Sequence, residues 1–211
     1  MKVERLVLGN FGVNCYIVSF DDFDGNTIII DPGSEPQKII SYLEERNLKP
    51  SLILNTHGHY DHIGAIPVLI SRYEIPCYVH EFEEPIVLDP AKNLSSFLGE
   101  NELSLKTCSL IKGTCVKNFN NLGIEVILTP GHTPGSVIIK LDKILFTGDL
   151  LFKGGIGRTD LPGGDIRAIR NSLSTLRKLG QSVKEDLIVY PGHGEETTLK
   201  YELKTNYYLR I

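Results

Sequence analysis

No stretch of this 211-residue chain is apolar for long: runs such as Val126–Leu128 and Leu187–Tyr190 are only strand-sized. A helix that crosses a bilayer needs about 20 apolar residues, so no membrane partner is expected. The chain has no glycine period and no heptad repeat, which sets aside collagen and coiled-coil architectures. CxxC is also missing. The four cysteines, Cys15, Cys77, Cys108 and Cys115, read as free thiols in a reducing compartment. Basic runs are absent, with 22 Lys+Arg against 26 Asp+Glu, a net charge of −4 and a pI near 5.9. Without a cationic track to follow phosphates, nucleic acid is not an expected partner. The first apolar stretch, Leu6–Leu8, is too short for a signal peptide, and a cytoplasmic location is expected.

What remains is a globular composition, 41% hydrophobic and 23% charged. The length suits a single domain over residues 1–211, with no linker or low-complexity segment to divide it. Strand-like runs alternate with amphipathic segments. Val3–Leu8, Asn14–Phe20 and Thr27–Ile30 read as strands, with Asp24-Gly25-Asn26 as a hairpin turn. Ser34 and Gln37 have the spacing of a capping box before a helix that carries Ile39, Ile40 and Leu43. Leu52–Leu54 is a buried strand, Ile63, Ile66, Ile70 and Tyr73 stripe one helix, and Pro76–Val79 is a strand. Residues 85–112 read as an irregular surface excursion. Thr114–Lys117, Gly123–Leu128, Ser136–Leu141 and Lys143–Phe146 follow as strands, the last two joined by a tight turn at Asp142. Asp165 caps a helix with Ile166, Ile169, Leu173 and Leu176 on one face, then Asp186–Tyr190 is a strand, and Leu199, Leu203 and Tyr207 stripe a last helix. Two sheets, each covered by helices, are consistent with this order.

Four apolar strands stop at glycine-containing loops that present metal-ligating side chains. Leu52–Leu54 runs into His57-Gly58-His59-Tyr60-Asp61-His62, and Val126–Leu128 into Gly131-His132. Ile144–Phe146 runs into Gly148-Asp149, and Leu187–Tyr190 into Gly192-His193. Loops at the carboxyl ends of strands are where ligand sites gather in sheet proteins. Neutral imidazole and carboxylate suit Zn²⁺ and other first-row metals. A pair of metals sharing one carboxylate needs about seven protein ligands. His57, His59, Asp61, His62, His132, Asp149 and His193 supply that set. His80 fits no such pattern and reads as a structural or surface histidine. Asp31, in Ile30-Asp31-Pro32-Gly33, is either a turn aspartate or a carboxylate that orients the histidine loop from behind.

Over nearly its whole length this pattern resembles the metallo-β-lactamase superfamily. The resemblance implies a four-layer αββα sandwich of two mixed β-sheets. It also implies that His57, His59 and His132 hold one metal, that Asp61, His62 and His193 hold another, and that Asp149 bridges them. Two divalent ions are expected, zinc first, with iron or manganese as alternatives. Thr147–Phe152 followed by Gly155–Asp160, and Pro191–Thr198, are similar to short glyoxalase II-like hydrolases. The activity implied is hydrolysis of a small hydroxyacyl thioester such as S-D-lactoylglutathione, with a hydroxide shared by the metals as nucleophile and Asp61 as its catalytic orienter. Arg158, Lys153 and Tyr207 are candidates for substrate binding. Long glyoxalase II enzymes carry an additional helical domain that grips glutathione, and Lys-x-Tyr where this chain has Arg158-Thr159-Asp160; both departures bear on glutathione rather than on thioester chemistry. Two rival readings are a one-iron persulfide dioxygenase, using His57, His132 and Asp149, and a metal-stabilised binding module without catalysis.

Overall fold

The computed structural model describes residues 1–20, 26–98, 101–119 and 122–210. It forms two compact units, residues 1–79 with 84–111, and residues 80–83 with 112–211. Asp24 and Gly25 of the expected hairpin turn lie outside the described residues.

The first unit begins with three antiparallel strands, β1 (Lys2–Leu8), β2 (Val13–Ser19) and β3 (Asn26–Ile30). Helix α1 (Pro36–Glu45) then crosses to β4 (Lys49–Leu54), which lies parallel to β3. Short α2 (Tyr60–Ile63) and α3 (Ile66–Tyr73) lead to β5 (Cys77–His80), parallel to β4. After α4 (Glu84–Val87) and α5 (Ser95–Leu98), β6 (Ser109–Ile111) adds an edge, giving the mixed order β1-β2-β3-β4-β5-β6. Two short helices and an edge strand therefore occupy what the sequence marked as an irregular excursion. Cys15, Ile17, Ile29 and Ile53 of the sheet are buried against Ile39 and Leu43 of α1 and Ile66 and Leu69 of α3. Each such side chain contributes about 1.5–3 kcal/mol when fully buried.

The residue before α1 is Glu35, at φ 48°, and no side chain caps the helix. Pro36 opens it instead, since its fixed φ suits a first helical position and its missing N–H is no loss there. The apolar stripe 63–73 is two helices, broken at Gly64-Ala65, and Pro67 lies in the first turn of the second.

In the second unit β7 (Cys115–Phe119), β8 (Leu122–Leu128), β9 (Val137–Leu141) and β10 (Ile144–Gly148) form an antiparallel meander. Asp142, at φ 49°, makes the expected tight turn between the last two. A small hairpin, β11 (Leu151–Phe152) and β12 (Gly155–Ile156), leads to α6 (Ile166–Ser182). Asp165 caps that helix, its carboxylate accepting from Arg167 N and Ala168 N. Strand β13 (Ile188–Pro191) returns parallel to β10, and β14 (Thr197–Thr198) closes the order β14-β13-β10-β9-β8-β7. Ile138, Leu145 and Val189 are buried with Ile169, Leu173 and Leu176 of α6. The last stripe divides at Asn206 into α7 (Leu199–Thr205) and α8 (Tyr207–Arg210). Leu199 is buried but Tyr207 is exposed, because the stripe does not continue across the break.

All four cysteines are free, and Cys15 and Cys77 are buried. Among the described residues no helix is long and apolar enough to cross a membrane.

Candidate metal centre

In the first unit, β4 delivers its buried Leu52-Ile53-Leu54 end straight into the histidine loop. Asn55 fastens that loop at both ends. Its backbone N–H donates to Tyr78 O at 3.0 Å and its side-chain amide donates to His62 O at 2.8 Å. His57, His59 and His62 are all buried. The His57 ring stands edge-on to His59, with centroids 4.9 Å apart, and lies 4.1 Å from His62. Asp61 places a carboxylate oxygen 3.8 Å from His62 Nε2. Two glycines permit the close approach of loop 31–36 to α2: a Cβ on Gly33 would lie 1.5 Å from Asp61 O, and one on Gly64 would lie 2.3 Å from Gly33 O.

Asp31 organises this loop. It is buried and sits at φ 52°, a left-handed conformation uncommon outside glycine. Its Oδ1 accepts from Thr56 N at 2.7 Å, and its Oδ2 accepts from Thr56 Oγ1 at 2.6 Å. The same Oδ2 lies 3.0 Å from His62 Nδ1. A carboxylate only accepts, so the His62 proton sits on Nδ1 and leaves the Nε2 lone pair outward. Thr56 Oγ1 spends its hydrogen on Asp31 and therefore accepts from His57 Nδ1, 3.1 Å away. One carboxylate thus sets the tautomer of two imidazoles in the form that ligates through Nε2.

The second unit supplies the other three sequence candidates. His132 follows β8 in a loop closed by Thr129 N donating to Ser136 O at 2.8 Å. The buried carboxylate of Glu83 holds that loop, accepting from Thr133 Oγ1 at 2.5 Å and from Gly135 N at 2.7 Å. His132 Nδ1 donates to Arg158 O at 2.8 Å, which again leaves Nε2 with its lone pair. Asp149 follows β10 and His193 follows β13, whose loops are joined by Gly192 N donating to Gly148 O at 2.8 Å. One Asp149 oxygen, Oδ2, lies 3.5 Å from His132 Nε2 and 3.7 Å from His193 Nε2. Gly157 lets the chain pass behind this group, since a Cβ there would meet Asp149 O at 1.8 Å and His132 Nδ1 at 3.2 Å.

These separations test whether the donor sets suit a metal. Tetrahedral ligands about 2.1 Å from zinc stand roughly 3.4 Å from one another. The Asp149–His132 and Asp149–His193 spacings of 3.5 and 3.7 Å, and the Asp61–His62 spacing of 3.8 Å, fall close to that value. Imidazole nitrogens with outward lone pairs around carboxylate oxygens are donors of the right kind, so each unit's residues fit metal ligation.

The remaining candidates are less concentrated. Arg158 is exposed and clasps Asp160 through two hydrogen bonds of 2.7 Å. That guanidinium holds the Asp160 carboxyl down at about 2, below its usual range. Lys153 Nζ pairs with Glu195 at 2.7 Å. Tyr207 lies on α8 with its ring centroid 5.6 Å from that of Tyr208. His80 is structural and buried rather than superficial; its Nδ1 accepts from Phe82 N at 3.2 Å, and burial pushes its pKa down. Sequence reasoning missed Thr56, Asn55, Glu83 and Gly157. Thr56, directly before His57, was within reach; Glu83 was not, being 50 residues from the loop it holds.

Residues 8–193 match the model of the metallo-β-lactamase superfamily. The chain belongs to that superfamily and has its fold, with two mixed sheets flanked by helices. Members bind divalent metals, and the chain is a metal-dependent hydrolase of this class. It is 37% identical over 212 residues to a probable metallo-hydrolase of Bacillus subtilis, covering 99% of this chain and 98% of that one. It is 32% identical over 220 residues to a hydroxyacylglutathione hydrolase of Haemophilus influenzae, again covering 99% and 98%. Among solved structures, a B3 metallo-β-lactamase, BLEG-1, superposes with a TM-score of 0.90 at 35% identity over 99% of both chains.

Proposed function

We propose that the protein hydrolyses small hydroxyacyl thioesters, of which S-D-lactoylglutathione is the type, at a two-metal centre. The observation that carries this reading is the donor set. Its imidazoles are tautomerically fixed around acidic oxygens, and each spare ring nitrogen on His62, His57 and His132 is engaged from behind. The relative named hydroxyacylglutathione hydrolase supports the choice of thioester among the superfamily's hydrolytic reactions.

In this reading His57, His59 and His132 hold one metal, Asp61, His62 and His193 hold the other, and Asp149 serves both. Zinc fits these nitrogen and oxygen donors, as do iron and manganese. Bound divalent metal supplies Lewis acidity at the carbonyl and a hydroxide near neutral pH, because it lowers the pKa of water from 15.7 to about 7. The chain's residues do the rest. Asp61 is partly exposed and lines a cavity of about 570 Å³ with Tyr60, Phe11 and Leu8. Its carboxylate orients the attacking water by accepting a hydrogen bond. Asp31 and the Arg158 carbonyl hold the imidazoles in their ligating tautomers throughout. The leaving thiolate has an ordinary thiol pKa of about 8.5 and departs without a dedicated acid. Arg158 and Lys153 bind a substrate carboxylate only by giving up Asp160 and Glu195.

The test compares protein loaded with zinc and protein loaded with iron. Zinc-loaded protein is expected to hydrolyse S-D-lactoylglutathione. Oxygen uptake on glutathione persulfide by the iron form, without thioester hydrolysis by the zinc form, would replace this reading with the dioxygenase.

A further inference from the structure

Two thiols of the first unit stand against each other, outside the candidate metal centre. Cys77 opens β5, and Cys108 immediately precedes β6, the neighbouring strand of the same sheet. Cys77 is buried in the core of that unit, and Cys108 packs against the same core while remaining partly exposed. The two side chains are hydrogen-bonded to each other. Neighbouring strands run about 4.8 Å apart. A disulfide spans Cα separations of about 4.4–6.8 Å, so a bond between adjacent strands needs no large backbone movement. The other two cysteines are placed differently. Cys15 is buried in β2, and Cys115 lies on β7 of the second unit.

The two sulfurs differ in what they can do. The hydrogen bond to Cys108 and burial together push the Cys77 thiol up, so Cys77 keeps its proton and donates it towards Cys108 Sγ. Cys108 is the sulfur of the pair that solvent reaches. An accessible thiol with a second thiol held beside it is the arrangement of an oxidant-sensitive cysteine and its resolving partner.

We infer that Cys77 and Cys108 form a redox modification site, which a hydroperoxide converts to a reversible intramolecular disulfide. The Cys108 thiolate attacks one peroxide oxygen and the O–O bond breaks. With hydrogen peroxide, the departing hydroxide takes a proton and leaves as water, and Cys108 becomes a sulfenic acid. The Cys77 sulfur then attacks the Cys108 sulfur. The S–O bond breaks, and the hydroxyl leaves with the Cys77 proton as a second water. The two sulfurs give up two electrons between them, and one peroxide becomes two waters.

The bond closes a loop over residues 78–107, which carries α4 and α5. Pro76 and Tyr78, on either side of Cys77, hold the strand that feeds the histidine loop. Pro76 O accepts from Ile53 N at 2.9 Å, and Tyr78 O accepts from Asn55 N at 3.0 Å. Within the closed segment, Asn93 O accepts from Tyr60 N at 2.8 Å, beside Asp61. A staple at Cys77 therefore secures the chain that braces this loop, chiefly by limiting its freedom when unfolded.

The full chain, with zinc present, is treated with one equivalent of hydrogen peroxide, capped with iodoacetamide and digested with trypsin without reductant. The expected product is the peptide of residues 73–92 joined to that of residues 107–112. It should be lighter by two hydrogens than the two free peptides and should be separated by dithiothreitol. The linked protein should melt about 5–10 °C above the reduced protein. Cys108→Ser should give no linked peptide and no peroxide-dependent change in Tm. Cys77→Ala should leave Cys108 as a sulfenic acid that dimedone traps, with circular dichroism checking the fold. Cys108→Ser replaces a partly exposed side chain and decides the matter even if Cys77→Ala does not fold. Both cysteines still capped after peroxide, a link to Cys15 or Cys115 in place of this pair, or Cys108 carried on to sulfinic acid in the native chain would overturn the assignment.

Discussion

Replacing Asp31 by asparagine changes one atom and should cost most of the metal affinity. In the native loop both Asp31 oxygens accept, one from Thr56 N and the other from Thr56 Oγ1 and the His62 Nδ1–H. Asparagine keeps one acceptor and presents an NH₂ at the other position. If its oxygen stays opposite Thr56 N, the NH₂ faces Thr56 Oγ1 and His62 Nδ1. His62 must then accept at Nδ1, which moves its proton to Nε2 and removes the ligating lone pair. Thr56 Oγ1 must also turn, which frees its hydrogen to donate to His57 Nδ1, 3.1 Å away, and inverts that ring too. If the amide flips instead, its NH₂ opposes the buried Thr56 N–H. Either arrangement leaves buried groups mismatched, at about 1–3 kcal/mol each. Partners behind metal ligands commonly contribute 10–100-fold in affinity, and Asp31 serves two rings, so a loss of about 100-fold is expected. Competition with a fluorescent zinc chelator reads the affinity, and ¹⁵N chemical shifts of the imidazoles read the tautomers. Affinity within twofold of the native protein, with His62 still protonated on Nδ1, would refute this reasoning.

Asp149→Ala should lower occupancy of both metals and abolish turnover, whereas His59→Ala should weaken one; elemental analysis of dialysed protein separates the two, and full loading of Asp149→Ala would contradict the shared-ligand role. Gly157→Ala should displace loop 157–160 or the His132 ring, because its Cβ would fall 1.8 Å from Asp149 O; activity should drop at least tenfold, and native activity would count against that crowding. Asp160 should titrate at about 2 by carboxyl ¹³C shifts, returning towards its usual 3.8 in Arg158→Ala. Its folded pKa lies below the unfolded value of about 3.9, so the pair contributes stability above pH 4 and loses it as pH falls through about 2. Residues 1–211 are proposed to behave as one domain under limited proteolysis; release of a stable fragment from the last 40 residues would contradict that.

Much of this molecule was legible in its sequence, for a definite physical reason. Apolar strands that end in Gly-His or Gly-Asp combine a backbone signal with a chemical one, and both survive folding: Leu52–Leu54, Val126–Leu128 and Ile144–Phe146 all became strand ends with donors in the following loop. The Asp165 cap was equally plain, being a local contact of two and three residues. Local signals failed where a competing one won. The Ser34–Gln37 spacing matched a capping box, yet Pro36 fixed the helix start and Glu35 took a left-handed turn. The stripe through Leu203 and Tyr207 runs across a break at Asn206, whose backbone turns extended (φ −72°, ψ 120°) while its side-chain amide donates to Glu202, Phe152 and Gly155 oxygens. Glu83 was invisible because nothing in sequence links it to Thr133. Arg158 is legible as a cation, but the group that occupies it is Asp160, only two residues away, which a family motif does not reveal.

Metal stoichiometry of protein purified from its own source, by elemental analysis on quantified chains, tests the two-metal reading most directly. Two equivalents of zinc per chain, lost together in Asp149→Ala, is the expected result. A single equivalent of iron per chain, retained by the protein as it takes up oxygen on glutathione persulfide, would contradict it.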